Sequence, residues 1–184
     1  MSEKIVLKNA RLSYEHIFKP DAIADGNKLK YSATWIIPKN DPQVKTIKEA
    51  INKALDEKFP GKRKNGAWPS SMHNPLKDGD ELADERPEYA GAYILRSASK
   101  IRPKVFNRRK EPVTAEDELI YSGCYCNASL AAAGFDSTAK KGVTIYLNGV
   151  QFFKDGDRLA GYDATNDFDD LGEDEGGESY DDLV

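Results

Sequence analysis

The spacing of apolar and polar residues divides most of the chain into short strands, one helix and one long irregular segment. Residues 5–14 (IVLKNARLSY) are rich in apolar positions without Gly or Pro and predict a first strand. Residues 28–37 (KLKYSATWII) alternate. Leu29, Tyr31, Ala33, Trp35 and Ile37 share one face, and Lys28, Lys30, Ser32 and Thr34 the other. Tyr31 and Trp35 are therefore assigned to the core, and Pro38 ends the strand. Asp41 then offers a cap and Pro42 suits the first position of a helix. Val44, Ile47, Ile51, Ala54 and Leu55 recur at helical spacing and give one apolar stripe running to about Phe59, where Pro60-Gly61 stops it.

Residues 62–89 are charged and punctuated by proline, and a loop this long in a compact domain is expected to be functional or mobile. Residues 92–106 predict a long strand, residues 107–111 (NRRKE) a basic turn, and residues 119–131 and 143–153 two last strands. A Gly- and Lys-containing loop, 134–142, joins those two. A parallel doubly wound sheet would need alternating helices, and only one is evident. The pattern predicts a mainly β fold, a small five-stranded barrel with one amphipathic helix.

Alternation along residues 92–106 puts Arg96, Lys100, Arg102, Lys104 and Phe106 on one face, with Pro103 marking an interruption or a sheet edge. Arg108, Arg109 and Lys110 carry the positive charge into the turn. In the next strand Ile120, Ser122, Cys124, Cys126, Ala128 and Leu130 form an inward face, leaving Tyr121, Gly123, Tyr125, Asn127 and Ser129 outside. In the last strand Val143, Ile145 and Leu147 point in, and Thr144, Tyr146 and Asn148 out. Exposed rings beside a row of cations are what a nucleic-acid single strand requires, since bases stack on rings while phosphates meet the cations. The same row would also serve as an ordinary solvated face guarding a sheet edge. Trp68, near Lys62, Arg63 and Lys64, is a further candidate to clamp a base, or else a pin that holds its loop to the domain.

Charge sharpens this picture. The 184 residues carry 27 Lys+Arg and 31 Asp+Glu, a net −4. Ten of the carboxylates fall after residue 162, where no Lys or Arg occurs, so residues 1–162 hold 27 basic against 21 acidic residues, a net +6. The division predicts a basic domain over residues 1–162 and a disordered acidic tail over 163–184. The tail's candidate partner-binding residues are Asp169, Asp170, Glu173, Asp174, Glu175, Tyr180, Asp181, Asp182, Leu183 and Val184. Its aliphatic tip suits docking into a basic, hydrophobic pocket, and its charge suits competition with DNA for the cationic groove.

Other chemistry is thinly represented. His16 and His73 are the only histidines and neither has metal-ligand spacing. Gly61 to Gly66 lacks the Lys-Ser/Thr of a phosphate-binding loop. Cys124 and Cys126, two residues apart, are poor disulfide partners and are read as reduced, buried thiols. No catalytic residue, metal or cofactor is expected. No apolar run approaches the ~18–20 residues of a membrane span, so a soluble, cytoplasmic protein is expected. Two alternatives remain. One is a metal-dependent nuclease or recombination enzyme using the carboxylates of Asp78, Asp80, Glu81, Asp84 and Glu85; the other is a structural or adaptor protein whose basic face meets an acidic protein.

Three segments carry a family likeness. Residues 31–42 (YSATWIIPKNDP) run from strand through proline into a helix, residues 103–113 (PKVFNRRKEPV) form a central hairpin, and residues 142–153 (GVTIYLNGVQFF) a last strand before an acidic tail. In this the chain resembles the single-stranded DNA-binding proteins of tailed phages. The resemblance implies an OB-fold, sequence-tolerant binding of single-stranded DNA in phage replication and recombination, and action in the host cytoplasm. It also implies a tail that contacts replication partners such as a polymerase, helicase or primase, and it leaves room for a homodimer. Better-known relatives end their tails in phenylalanine, whereas this chain ends Leu183-Val184.

Overall fold

The computed structural model describes residues 2–22, 29–159 and 169–172. Its elements are β1 (Glu3–Ala22), β2 (Leu29–Pro38), α1 (Gln43–Lys58), β3 (Leu76–Asp78), β4 (Ala92–Ser99), β5 (Lys104–Phe106), β6 (Tyr125–Asp136) and β7 (Lys141–Lys154). The strands join in the order β3-β4-β2-β1-β6-β7-β5, and a pairing of β4 with β7 at Ala98–Tyr146 closes five of them into a barrel. The fold is thus mainly β, an OB-like five-stranded barrel with one helix.

β1 runs well past the expected end at residue 14 because it serves two neighbours. It pairs with β6 along its first half and with β2 along its second, and Arg11 faces both Tyr125 and Ile36. The register breaks beside Asn9 (φ 51°) and Tyr14 (φ 49°), which adopt left-handed backbone. Such bulges bend a strand, and here they turn it around the barrel wall.

The α1 stripe is buried in the same core as the barrel strands: Val44, Ile47, Ile51, Ala54 and Leu55 pack with Ile5, Leu7, Leu130 and Ile145. Asp41 caps the helix as expected, its carboxylate accepting the Gln43 amide at 2.9 Å. Where β6 passes the helix the residue is Gly134, and a Cβ there would stand 2.3 Å from Lys58 Cβ. Trp35 is fully buried, its Nε1 donating to Ser97 Oγ at 3.1 Å, and Ser97 in turn donates to the Ala33 carbonyl at 2.8 Å. Tyr31 is only half-buried, and Leu29, expected in the core, is 64% exposed at the start of β2. Lys28 lies outside the described residues.

Two further strands differ from expectation. The strand predicted over residues 92–106 is two strands. β4 stops at Ser99, whose Oγ accepts the Ile101 amide at 3.0 Å, and the chain bends through Lys100–Pro103. Pro103 has no N–H to give to a ladder. β5 then continues along β7, which β4 meets only at Ala98, pairing with it in parallel, Lys104 facing Gly149 and Phe106 facing Gln151. The strand expected from residue 119 begins only at Tyr125, after a 3₁₀ turn at Ala115–Asp117 and a left-handed Gly123.

Residues 62–89 are not a free loop: they supply β3 and two 3₁₀ turns. Tyr89 is buried in a second small cluster with Ile36, Ala92 and Ile94, its hydroxyl 3.3 Å from Ser13 Oγ. Among the described residues no helix is long and apolar enough to cross a membrane.

Candidate nucleic-acid interface

Register along β6 and β7 decides which side chains share the outer wall. Antiparallel partners project to one face, so Tyr125 stands with Arg11 and Lys154, Asn127 with Gln151, Ser129 with Gly149, and Ala131 with Tyr146. The middle of this wall is floored by small residues, and rings rise at either side of it. Tyr125 carries Lys154 Nζ 4.8 Å from its centroid and the Arg11 guanidinium at 5.9 Å. The guanidinium is not free to swing, because Arg11 Nε donates to the Gly123 carbonyl at 3.2 Å and Nη2 to the Asp157 carbonyl at 2.8 Å. Beside them Arg108 lies 5.2 Å from the Phe153 centroid and donates to the Phe153 carbonyl.

The basic turn is fixed against this wall. Asn107 Oδ1 accepts the amides of Arg109 (2.9 Å) and Glu111 (3.0 Å). Gln151 Nε2 donates to the Arg108 carbonyl at 3.3 Å, while its Oε1 accepts from Asn127 Nδ2 at 3.1 Å. An amide pair on the wall therefore sets the height of the turn above Tyr125. Arg109 is held weakly by Glu111 at 3.9 Å, and Lys110 sits exposed at the left-handed corner of the turn.

The predicted cationic row does not exist as one line, since its strand breaks after Ser99. Lys104 and Phe106 remain beside β7, with Lys104 exposed and Phe106 half-buried. Lys100 and Arg102 lie on the bend, where Arg102 donates to the Phe18 carbonyl at 3.2 Å. Arg96 is exposed on β4, near the far end of β7.

Of the predicted rings, Tyr146 is 45% exposed, and Tyr125 is half-buried with Lys154 and Arg11 over its ring and its hydroxyl not tied down as that of Tyr121 is. Tyr121 is not. Its hydroxyl donates to Asp155 Oδ1 at 2.8 Å and accepts the Gly156 amide at 3.0 Å, and Arg158 covers its ring at 4.5 Å. Burial first, and Asp155 second, push its phenol above the ordinary range. Trp68 is a pin: its Nε1 donates to the Met72 carbonyl at 3.0 Å and its ring packs on the core. Arg63 is engaged by Asp56 at 3.0 and 2.7 Å, away from the wall, with Lys62 and Lys64 exposed nearby.

Arg11, Phe153 and Lys154 join this wall without any local signal in the sequence. Only the pairing of β1 with β6, more than a hundred residues apart, brings Arg11 to Tyr125.

Two of the carboxylates considered for metal chemistry, Asp78 and Asp80, form a clasp with Lys39. Lys39 Nζ lies 2.7 Å from Asp78 and 2.6 Å from Asp80, and Asp80 also accepts the Gly91 amide at 2.7 Å. The lysine holds both carboxyls below their usual range, and they hold its ammonium above its own. Among the described residues no three His, Cys, Asp or Glu side chains converge as a metal site. Cys124 and Cys126 are both buried, their sulfurs 3.6 Å apart.

Residues 3–180 match the profile of a family described as Enterobacter phage Enc34, ssDNA-binding protein. Protein p50 of Acyrthosiphon pisum secondary endosymbiont phage 1 is 38% identical over 175 residues, covering 91% of this chain and 94% of that one. The structure of the single-stranded DNA-binding protein of bacteriophage Enc34 in complex with ssDNA superposes with a TM-score of 0.75. It is 28% identical, covering 86% of this chain and 90% of that one. The single-stranded DNA-binding protein gp2.5 of bacteriophage T7, 16% identical, covers 96% of this chain and 100% of its own with a TM-score of 0.61, a likeness of fold alone. The chain belongs to the phage ssDNA-binding protein family represented by Enterobacter phage Enc34.

Proposed function

We propose that this chain binds single-stranded DNA with little regard to sequence, along the outer wall of β6 and β7. The observation that carries the reading is the Tyr125 ring set between Arg11 and Lys154. A ring offers a face to any base, and a cation on either flank meets the phosphates before and after it. Tyr146, Lys104, Phe106 and the Arg108–Lys110 turn extend the same surface, and no catalytic step is required of any of them. Family membership supports the same reading. Residues 1–162 would form the binding domain, and the acidic segment 163–184 would regulate binding and recruit replication proteins during phage DNA replication and recombination.

The test is a titration of labelled oligothymidine and of duplex against wild type and Tyr125→Ala, at two salt concentrations. Wild type should prefer the single strand, with log affinity falling by about 0.7 per phosphate contact for each log unit of salt. Loss of one stacking ring should weaken binding by about 1–3 kcal/mol. Equal affinity in Tyr125→Ala would remove the platform from the interface.

A further inference from the structure

We infer that a second phosphate-binding site lies at the opposite end of β7 from Tyr125, formed by Lys77, Arg96 and Lys140 around His73, and that a bound single strand runs along β7 to reach it. The inference rests on the reading of the outer wall as a DNA interface and adds where the strand goes.

Three strands bring these cations together. The main chain of His73 is stitched to the start of β7, its amide donating to the Lys141 carbonyl at 2.8 Å and its carbonyl accepting from Val143 at 3.1 Å. Lys77 on β3 faces Ile94 on β4, and Arg96 follows two residues on, so both project from the same side of the sheet. Lys140 immediately precedes β7. Arg96 and Lys77 are exposed, as is Lys140, and none of the three forms an ion pair among the described residues. The nearby carboxylate, Asp136, is engaged by Lys141 at 3.7 Å.

The imidazole reports the field. Burial first, and then Lys77, Lys140 and Arg96, press its protonation below the ordinary histidine range. Three like charges left without counter-ions are a standing cost to the fold, and a phosphate relieves it.

The floor between the two sites is open to a strand. Ala98, Ala131, Ser129 and Gly149 line it, and Tyr146 stands midway with 45% of its surface exposed. β7 spans Lys141–Lys154, about 40 Å at the ~3.3 Å per residue of a strand. A path of that length falls within the roughly 4–16 nucleotides that OB folds occupy.

The experiment compares the full chain with a Lys77→Ala/Lys140→Ala double variant, using oligothymidines of about 4 and about 16 nucleotides, the ends of that range. Wild type should gain affinity with length. In the variant the long oligomer should bind several-fold more weakly, and its salt slope should fall by about 1.4, two contacts at ~0.7 each. The short oligomer, held at Tyr125, should bind as before, and thermal melts should match.

An unchanged long-oligomer slope overturns the inference and leaves the cluster as a docking point for an acidic protein segment. An equal loss for both lengths also overturns it, since the site would then not be separate. A wild-type chain that binds neither oligomer removes the interface itself, a different failure from the first two.

Discussion

Glu15 shows how a single side chain near the platform sets a limit on stability. It sits half-buried on β1, and burial raises its carboxyl above the ordinary range. Its own amide, the Ser122 amide, His16 and Arg158 only partly offset that. The folded state therefore holds this proton more tightly than the unfolded chain does. Stability associated with Glu15 is greatest at acid pH and is lost as pH rises from the ordinary carboxyl value through the raised one. Glu15→Gln, which keeps the shape and cannot ionise, should melt higher than wild type at pH 7. Each kcal/mol of relieved burial should appear as about 2–4 °C. The gap should close in a melt at pH 4, where the wild-type carboxyl is protonated. A gap independent of pH would mean that ionisation at Glu15 is not the cause.

At the level of elements, the alternation of β2, β6 and β7 was legible in the sequence. Ala33, Trp35, Cys126, Leu130, Ile145 and Leu147 are inside, and Tyr125 and Tyr146 are on the other face. The helix was equally plain, because a cap, a proline and a stripe agree within twenty residues. What stayed hidden depends on which strands meet. Residues 92–106 look like one strand locally; that β4 lies along β2 while β5 lies along β7 emerges only when the barrel closes. Arg11 and Lys154 look unremarkable until β1 and β7 flank β6. Tyr121 looks exposed in the sequence because the segment that covers it, residues 155–159, begins 34 residues later.

That covering segment depends on a glycine. Gly123 has φ +114°, and a Cβ there would lie 2.0 Å from the Asp157 carbonyl, the acceptor that also orients Arg11. Gly123→Ala should cost about 1–3 kcal/mol for backbone strain alone, and should lift the segment away, so that the Tyr121 phenol titrates at its ordinary value. Gly61→Ala, with φ +76° but nothing within 4 Å, isolates the backbone part. If the two variants lose equal stability in urea and Tyr121 is unmoved, the segment is not held there by Gly123.

For the whole molecule the governing quantity is a separation of charge, net +6 up to residue 162 and ten carboxylates beyond it. The described chain brings residues 155–159 close to the platform. The Asp157 main-chain carbonyl accepts from Arg11 at 2.8 Å, and the Leu159 amide donates to the Ser122 carbonyl at 3.0 Å, so the described segment ends beside the platform, four positions in sequence before the first of the ten carboxylates. A tethered polyanion at this distance has an effective concentration on the order of mM. A contact with an intrinsic affinity near 0.1 mM would then reduce DNA binding about tenfold, or ~1.4 kcal/mol. Truncation after Tyr162 keeps the covering segment and removes every one of those ten carboxylates. The truncated chain should bind oligothymidine about tenfold more tightly at low salt. The advantage should shrink towards 1 M, where screening falls to ~3 Å and neither the tail nor the phosphates are felt at range. Truncation that leaves low-salt affinity equal or weaker would show that the acidic residues do not contend with DNA for Arg11 and Lys154.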